Sequence, residues 1–474
     1  MRYLVLFISI LFSFCSFAQQ KPNKFLDNGK KLLDEGKYDQ ALIEFNSAIK
    51  ANGKDAEAYY YRGRTNLFLE KAQDAKRDIT NATELDPKKG TYFNLLGIVS
   101  ETLNDSTSAF ANYNKAIALD SSDYKPLVNI AKLYEEKEQY KAALKYMTLA
   151  LKRGPKDPDN HYSKGSVLEG MKDTTGAMKC YETALSLDSN FVNAAYGLAY
   201  LHNAKNNFKM AVKFANRAIA ADPKNSNAYI EKGKAYEALK DSAAALSNYT
   251  KAIDADPKNS MAYFNRGTLY NNLNKKTAAI KDFSKMLELD SKDVDALMAR
   301  SECYADTDNF VAAIADLELA KKINPDDPFI YFSLGNTQDQ GRYFREAIES
   351  YNVAIKLDSA NSDYYYSRGN SRYNLEETEG AKKDYNKALK LDSSNTAPLF
   401  NLGNINFDAK NYEEALKYYD LYLKSNTKDS DAYVNRGICK KAMGGDKEAC
   451  EDWNKAAALG NVEAKQNITK FCPK

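Results

Sequence analysis

Histidine is nearly missing from this chain. His161 and His202 are the only two in 474 residues, and there is one tryptophan, Trp453. So little imidazole leaves scant material for histidine-based acid–base chemistry or a histidine-rich metal site. Both histidines fall where neighbouring repeats carry Tyr or Leu, and they read as packed aromatic substitutes. The six cysteines form no His/Cys/Asp cluster at metal-ligand spacing, and no glycine-rich loop is present to cradle a phosphate. A surplus of one charge is absent too. The 67 Lys and Arg stand against 64 Asp and Glu, a formal net charge of +3, which gives no basic surface for nucleic acid. Past the first 18 residues no apolar run could span a bilayer, so the mature chain has no expected transmembrane segment. No catalytic residue, cofactor site or metal ligand is assigned, and the chain reads as a non-enzyme.

What the chain does have is one unit of 34 residues, repeated thirteen times from Pro22 to Glu463 without an insertion or deletion. Repeats are numbered one to thirteen below. The eighth residue of the unit is Gly in ten repeats, Ala131 and Ala199 in two, and Ser301 in one. The twentieth is Ala throughout, and the twenty-seventh is Ala except for Met286 and Tyr422. The twenty-fourth is usually large, as in Phe45, Tyr113, Tyr249, Tyr385 and Trp453. Small residues at fixed offsets let two helix backbones approach, and large ones fill the space beside them. In repeat seven, Tyr229, Gly233, Tyr236 and Leu239 recur at helical steps, and Ala245, Tyr249, Ala252 and Ile253 form a second stripe after Lys240-Asp241-Ser242. Asp256-Pro257 ends the second helix and opens the next unit, since proline suits a first helical turn and not an interior. Other repeats use Ser there, as at Asp120-Ser121 and Asp392-Ser393, where it is expected to cap the next helix.

A helix–turn–helix unit of this length and pattern resembles the tetratricopeptide repeat family, over Pro22–Glu463. The resemblance implies an all-α fold: a right-handed superhelical solenoid of thirteen helical hairpins. Residues 464–474 add a capping helix and tail over the apolar end of the last repeat. Two helices per unit plus the cap predict 27. Asp105-Ser106-Thr107, Asp173-Thr174-Thr175 and Asp241-Ser242-Ala243 fall in the turns inside hairpins. They resemble acceptor sites for bacterial O-glycosylation, and their Ser and Thr are also read as caps of the second helix.

The N-terminus reads as a signal peptide over residues 1–18. Arg2 supplies the positive start, Tyr3–Phe14 the apolar stretch, and Ser16-Phe17-Ala18 the small residues before a cut. Export to the periplasm or cell envelope, or secretion, is expected. Lipid anchoring through Cys15 stays open, although Phe12-Ser13-Phe14 lacks the small residues of such a site.

The family resemblance assigns the second, fifth, ninth, twelfth and thirteenth unit residues to a concave groove. In repeats ten to twelve these positions hold Phe332, Asn336 and Asp339, then Tyr366, Asn370 and Tyr373, then Phe400, Asn404 and Phe407. A row of aromatics beside a row of amides suits an extended peptide: amides can bond its backbone and aromatics take its apolar side chains. The amides are expected to face solvent, so that losing them would hardly affect folding. The fifth residue is never Lys or Arg, which departs from the family's clamps for peptide C-termini. A protein or peptide partner is the expectation, with glycan or peptidoglycan stacking on the same aromatics as the alternative, and a non-catalytic subunit of an envelope assembly as another.

Three cysteines gather at the C-terminal end. Cys450 precedes Gly460 by 10 residues and Cys472 follows it by 12. At about 1.5 Å per residue both lie roughly 15–18 Å from that turn, so antiparallel helices bring them level. A Cys450–Cys472 bridge is expected, with Cys439–Cys450 as the rival pairing and free thiols as the remaining case.

Overall fold

The computed structural model describes residues 23–472, so the leader reading of residues 1–18, with Cys15, lies outside the described residues. Among the described residues there are 27 α-helices and no strand. The chain divides into two compact units, 1–223 and 224–474, each a run of antiparallel helix pairs. The first opens with Lys24–Asp34 against Tyr38–Ala51, and the second with Ser226–Ala238 against Ser242–Ala255. In the second unit the final helix, Val462–Phe471, packs on Asp446–Ala458.

Each hairpin turns at the fifteenth residue of its repeat, which takes a left-handed backbone. Gly36 (φ 73°) and Gly444 (φ 87°) do so without steric cost, but eleven repeats hold a side chain there, among them Lys240 (φ 65°) and Asn274 (φ 57°). In four repeats the next residue, Asp105, Asp173, Asp241 or Asn309, caps the second helix with its side chain. Asp105, Asp173 and Asp241 accept from the backbone N–H of Ser108 (3.0 Å), Gly176 (2.9 Å) and Ala244 (3.0 Å). The expected roles are therefore shifted by one: the aspartate caps, and Ser106, Thr174 and Ser242 are merely the first helical residues. The carboxylate is the stronger acceptor for an unpaired helix N–H.

Several first helices are capped in the same way by the last residue of the preceding repeat, as when Asp293 accepts from Ala296 N–H (2.9 Å) and Asp429 from Ala432 N–H (3.0 Å). The serines after Asp120 and Asp392 do not serve. Both aspartates instead close a local turn, accepting from the backbone N–H of Ser122 and Ser394 at 2.9 Å. Pro87 and Pro257 stand in the turn ahead of the helix rather than inside its first turn. Pro126, Pro158, Pro328 and Pro398 are the ones that occupy first-turn positions.

The core of each hairpin follows the small–large pattern. Tyr249 is fully buried, with Ala245 and Ala252 beside it. A Cβ on Gly233 would lie 2.4 Å from Cε1 of Tyr249, so the ring occupies the space that glycine leaves. The same contact joins Gly97 to Tyr113, Gly369 to Tyr385 and Gly437 to Trp453. A buried phenol still needs an acceptor, and Tyr113, Tyr181 and Tyr249 donate to the twelfth residues Glu101 (2.8 Å), Glu169 (2.9 Å) and Glu237 (2.9 Å).

A second device is an ion pair across the hairpin. Arg62, Arg266, Arg300, Arg368 and Arg436, all seventh residues, grip Asp78, Asp282, Asp316, Asp384 and Asp452, all twenty-third residues, through Nε and Nη2 at 2.6–2.9 Å. Their Nη1 reaches back to the preceding repeat, to Asn46, Thr250, Ser284, Asn352 and Asp420. All three guanidinium nitrogens donate, which is what permits carboxylates to be buried here.

Candidate peptide-binding face

The nine residues singled out from the sequence fall on three first helices of the second unit: Pro328–Gln340, Ser362–Asn374 and Ala397–Asp408. In each they are spaced four and three apart, so each triplet shares one helix face. The three faces are bonded into a ladder. Asn401 Nδ2 donates to Asn370 Oδ1 (2.9 Å) and Asn435 Nδ2 to Asn404 Oδ1 (3.3 Å). Ser371 donates to Asp339, and Tyr373 to Asp408 (2.6 Å).

The asparagines are not the free solvent-facing amides expected. Tyr351, Tyr385 and Tyr419 donate their phenol protons to Oδ1 of Asn336 (2.8 Å), Asn370 (2.9 Å) and Asn404 (2.8 Å). Here the twelfth residue is Asp339, Tyr373 or Phe407 rather than Glu, and the ninth residue satisfies the buried phenol instead. All three amides are half-buried. With Oδ1 committed, what they can offer a ligand is Nδ2–H, a row of donors suited to peptide carbonyls.

The aromatics likewise serve the core before any partner. Phe332 packs on Tyr351 (6.0 Å between ring centres) and Tyr364 (4.9 Å), Tyr366 on Tyr385 (6.0 Å), and Phe400 on Tyr419 (6.0 Å) and Tyr422 (5.2 Å). Phe407 meets Tyr412 edge-on at 6.1 Å. Burial and Asp408 push the Tyr373 phenol up to about 12, and burial raises the Asp339 carboxyl.

Open space lies in repeats eight to ten. A cavity of about 770 Å³ is lined by Phe264, Met298, Phe329 and Gln340, with acidic groups at Asp295, Glu302, Asp306 and Asp327; of the nine residues only Asn336 reaches it. Phe329 is 55% exposed at its edge. Phe264 and Met298 are fifth residues, Asp295 and Phe329 second, Glu302 and Asn336 ninth, and Gln340 thirteenth. These are the unit positions assigned to the groove, two repeats earlier than the aromatic row drew attention to. The difference is steric: Ala299, Ser301 and Ala305 leave room there, whereas Tyr366, Tyr373 and Phe407 fill it later. Among the described residues no group of three or more His, Cys, Asp or Glu is placed to hold a metal, and no helix is long and apolar enough to cross a membrane.

At the end of the second unit Cys450 and Cys472 are joined by a disulfide, with Cα atoms 5.8 Å apart, while Cys180, Cys303 and Cys439 carry free thiols. The bridge holds the last helix over Trp453, whose ring lies 5.8 Å from Phe471.

Three family models described as tetratricopeptide repeat match the chain. One covers residues 26–67, 162–226, 272–328 and 366–431, the second 248–281, and the third 124–157 and 226–259. The chain belongs to the tetratricopeptide repeat family, whose repeats mediate protein–protein interaction. BBSome complex member BBS4 of Bos taurus is 23% identical over 267 residues, 49% of this chain and 51% of that protein. Protein O-mannosyl-transferase TMTC3 of Homo sapiens is 24% identical over 204 residues, 42% of this chain but 22% of the transferase. The chain thus spans about half the length, or less, of these curated relatives. Among solved structures, the APC/C hetero-tetramer Cut9–Hcn1 is similar over 96% of this chain and 97% of that one, at 14% identity and a TM-score of 0.44.

Proposed function

We propose that the chain is a non-catalytic scaffold of the bacterial cell envelope that binds an extended segment of a partner protein along the first helices of repeats eight to twelve. The observation that carries this reading is the cavity bordered by Phe264, Met298 and Phe329, continuous in unit position with the Nδ2–H donors of Asn336, Asn370 and Asn404. Apolar side chains of a peptide enter the cavity while its carbonyls meet the amide row. Export is supported by the leader-like residues 1–18, and by the Cys450–Cys472 bridge, since such a cross-link persists in an oxidising compartment.

The test is site-specific photo-crosslinking of the tagged mature chain in envelope fractions. A crosslinker at Phe329 is expected to capture a discrete protein. One at Val311, 73% exposed on a second helix, is expected not to. Equal labelling at both positions, or capture of glycan alone, overturns the reading.

A further inference from the structure

The first unit holds a different cavity, of about 490 Å³, in repeats four to six. Tyr140, Tyr162, Tyr196 and Tyr200 stand around it, with the carboxylates of Glu135 and Glu169 in its lining. Two glycines outside the repeat pattern give it shape. A Cβ on Gly170, a thirteenth residue, would sit 2.2 Å from Cε1 of Tyr140, and one on Gly197 would sit 2.8 Å from Cε2 of Tyr181. Tyr140 and Tyr181 can therefore press against backbone, and the space between the rings stays open.

The two carboxylates are oriented but not neutralised. Ser166 Oγ donates to Glu135 Oε1 (2.6 Å), and Tyr181 to Glu169 Oε2 (2.9 Å). Neither carboxylate forms an ion pair with any described residue, and no Lys or Arg lines the cavity. The field is felt by the phenols: Tyr162 and Tyr181 are pushed up first by burial and then by Glu169 and Glu135. Negative charge held among ring faces is the environment that favours a cation, since the rings present negative quadrupole faces and the carboxylates supply full charge.

We propose that this cavity receives an arginine side chain of a partner protein, its guanidinium set against Tyr196 and Tyr200 and bonded to Glu135 and Glu169. Guanidinium fits better than ammonium because it is planar, stacks on aromatic faces and gives up less hydration. The scaffold reading supplies only the source of the arginine; the site itself is separate from the face in repeats eight to twelve.

The test places 3-fluorotyrosine at position 200, a 43% exposed residue, in the mature chain and follows its fluorine resonance. N-acetyl-arginine amide is expected to shift the resonance saturably. The citrulline analogue, equal in shape but uncharged, is expected not to. Glu135→Gln with Glu169→Gln keeps acceptors for Ser166 and Tyr181 and is expected to weaken the arginine response about tenfold or more. Asn370→Asp, in the other face, is expected to leave it unchanged. No saturable shift with arginine, or equal shifts with both compounds, overturns the proposal, as does a response unaltered by the paired Gln variant. Failure of crosslinking at Phe329 leaves this result standing, so the two readings fall separately.

Discussion

The phenol of Tyr385, wholly buried, donates to Oδ1 of Asn370 at 2.9 Å, and Asn401 Nδ2 donates to the same oxygen from the next repeat. One amide thus closes a hairpin core and joins two repeats. Asn370→Ala strands two donors and is expected to lower stability by about 1–3 kcal/mol, read from chemical denaturation followed by local hydrogen exchange. Asn370→Asp keeps an acceptor and loses only the Nδ2–H, so it is expected to weaken peptide binding while largely preserving the fold. If Asn370→Ala leaves stability unchanged, the phenol has another acceptor.

Arg266 and Asp282 form one of the three such pairs with no second cation on the carboxylate, and the Asp282 side chain is only 4% exposed. Removing one partner leaves a buried charge alone. Arg266→Leu is expected to cost about 3 kcal/mol. Adding Asp282→Asn is expected to restore most of that, because repeat three itself pairs Leu96 with Asn112 at these positions. A double variant no more stable than the single one refutes the argument.

His202 is 7% exposed, stacked flat on Phe214 with ring centres 5.3 Å apart, and neither ring nitrogen has a hydrogen-bond partner. Burial lowers its pKa below the ordinary 6.5, with Glu182 opposing and Lys205 reinforcing. The unfolded chain therefore takes up this proton before the native one does. The stability this ring contributes is complete above 6.5 and is lost as pH falls from there toward the lower native value. His202→Phe is expected to flatten the difference between thermal unfolding at pH 7.5 and at pH 5. An unchanged difference would assign acid sensitivity to other groups.

The Cys450–Cys472 bridge closes a separation of 22 residues. Cys472→Ser, or reduction, is expected to remove on the order of 3 kcal/mol from the terminal helix. Because repeats are stabilised chiefly by their neighbours, hydrogen exchange should quicken over Val462–Phe471 and remain unaltered in repeats seven to ten. Free thiol on Cys472 in oxidised native material would contradict the bridge.

The helix pairs were legible because Gly233, Ala245, Tyr249 and their equivalents recur in fixed phase, and phase translates directly into which side chains meet. Caps were less so: Asp241 and Ser242 are both competent, and only backbone geometry chooses between them. The arginine pairs went unread although their signal was present, since Arg and Asp occupy the seventh and twenty-third positions in the same five repeats. Spacing put Asn370 on the correct helix face. It could not reveal that Tyr385 reaches over from the second helix to use its oxygen.

Those arginines also join neighbouring repeats. Arg62 fastens repeat two to repeat one, and Arg266, Arg300, Arg368 and Arg436 fasten four later neighbours. Repeats three to seven, ten and twelve carry another residue at that position; among them repeat four bonds back through Arg153 to the carbonyl of Asp123, and repeat six through Arg217 to those of Leu185 and Ser189. A guanidinium seated in the tyrosine-lined cavity and bonded to Glu135 and Glu169 would bridge repeats four and five, doing for that pair what Arg62 does for repeats one and two.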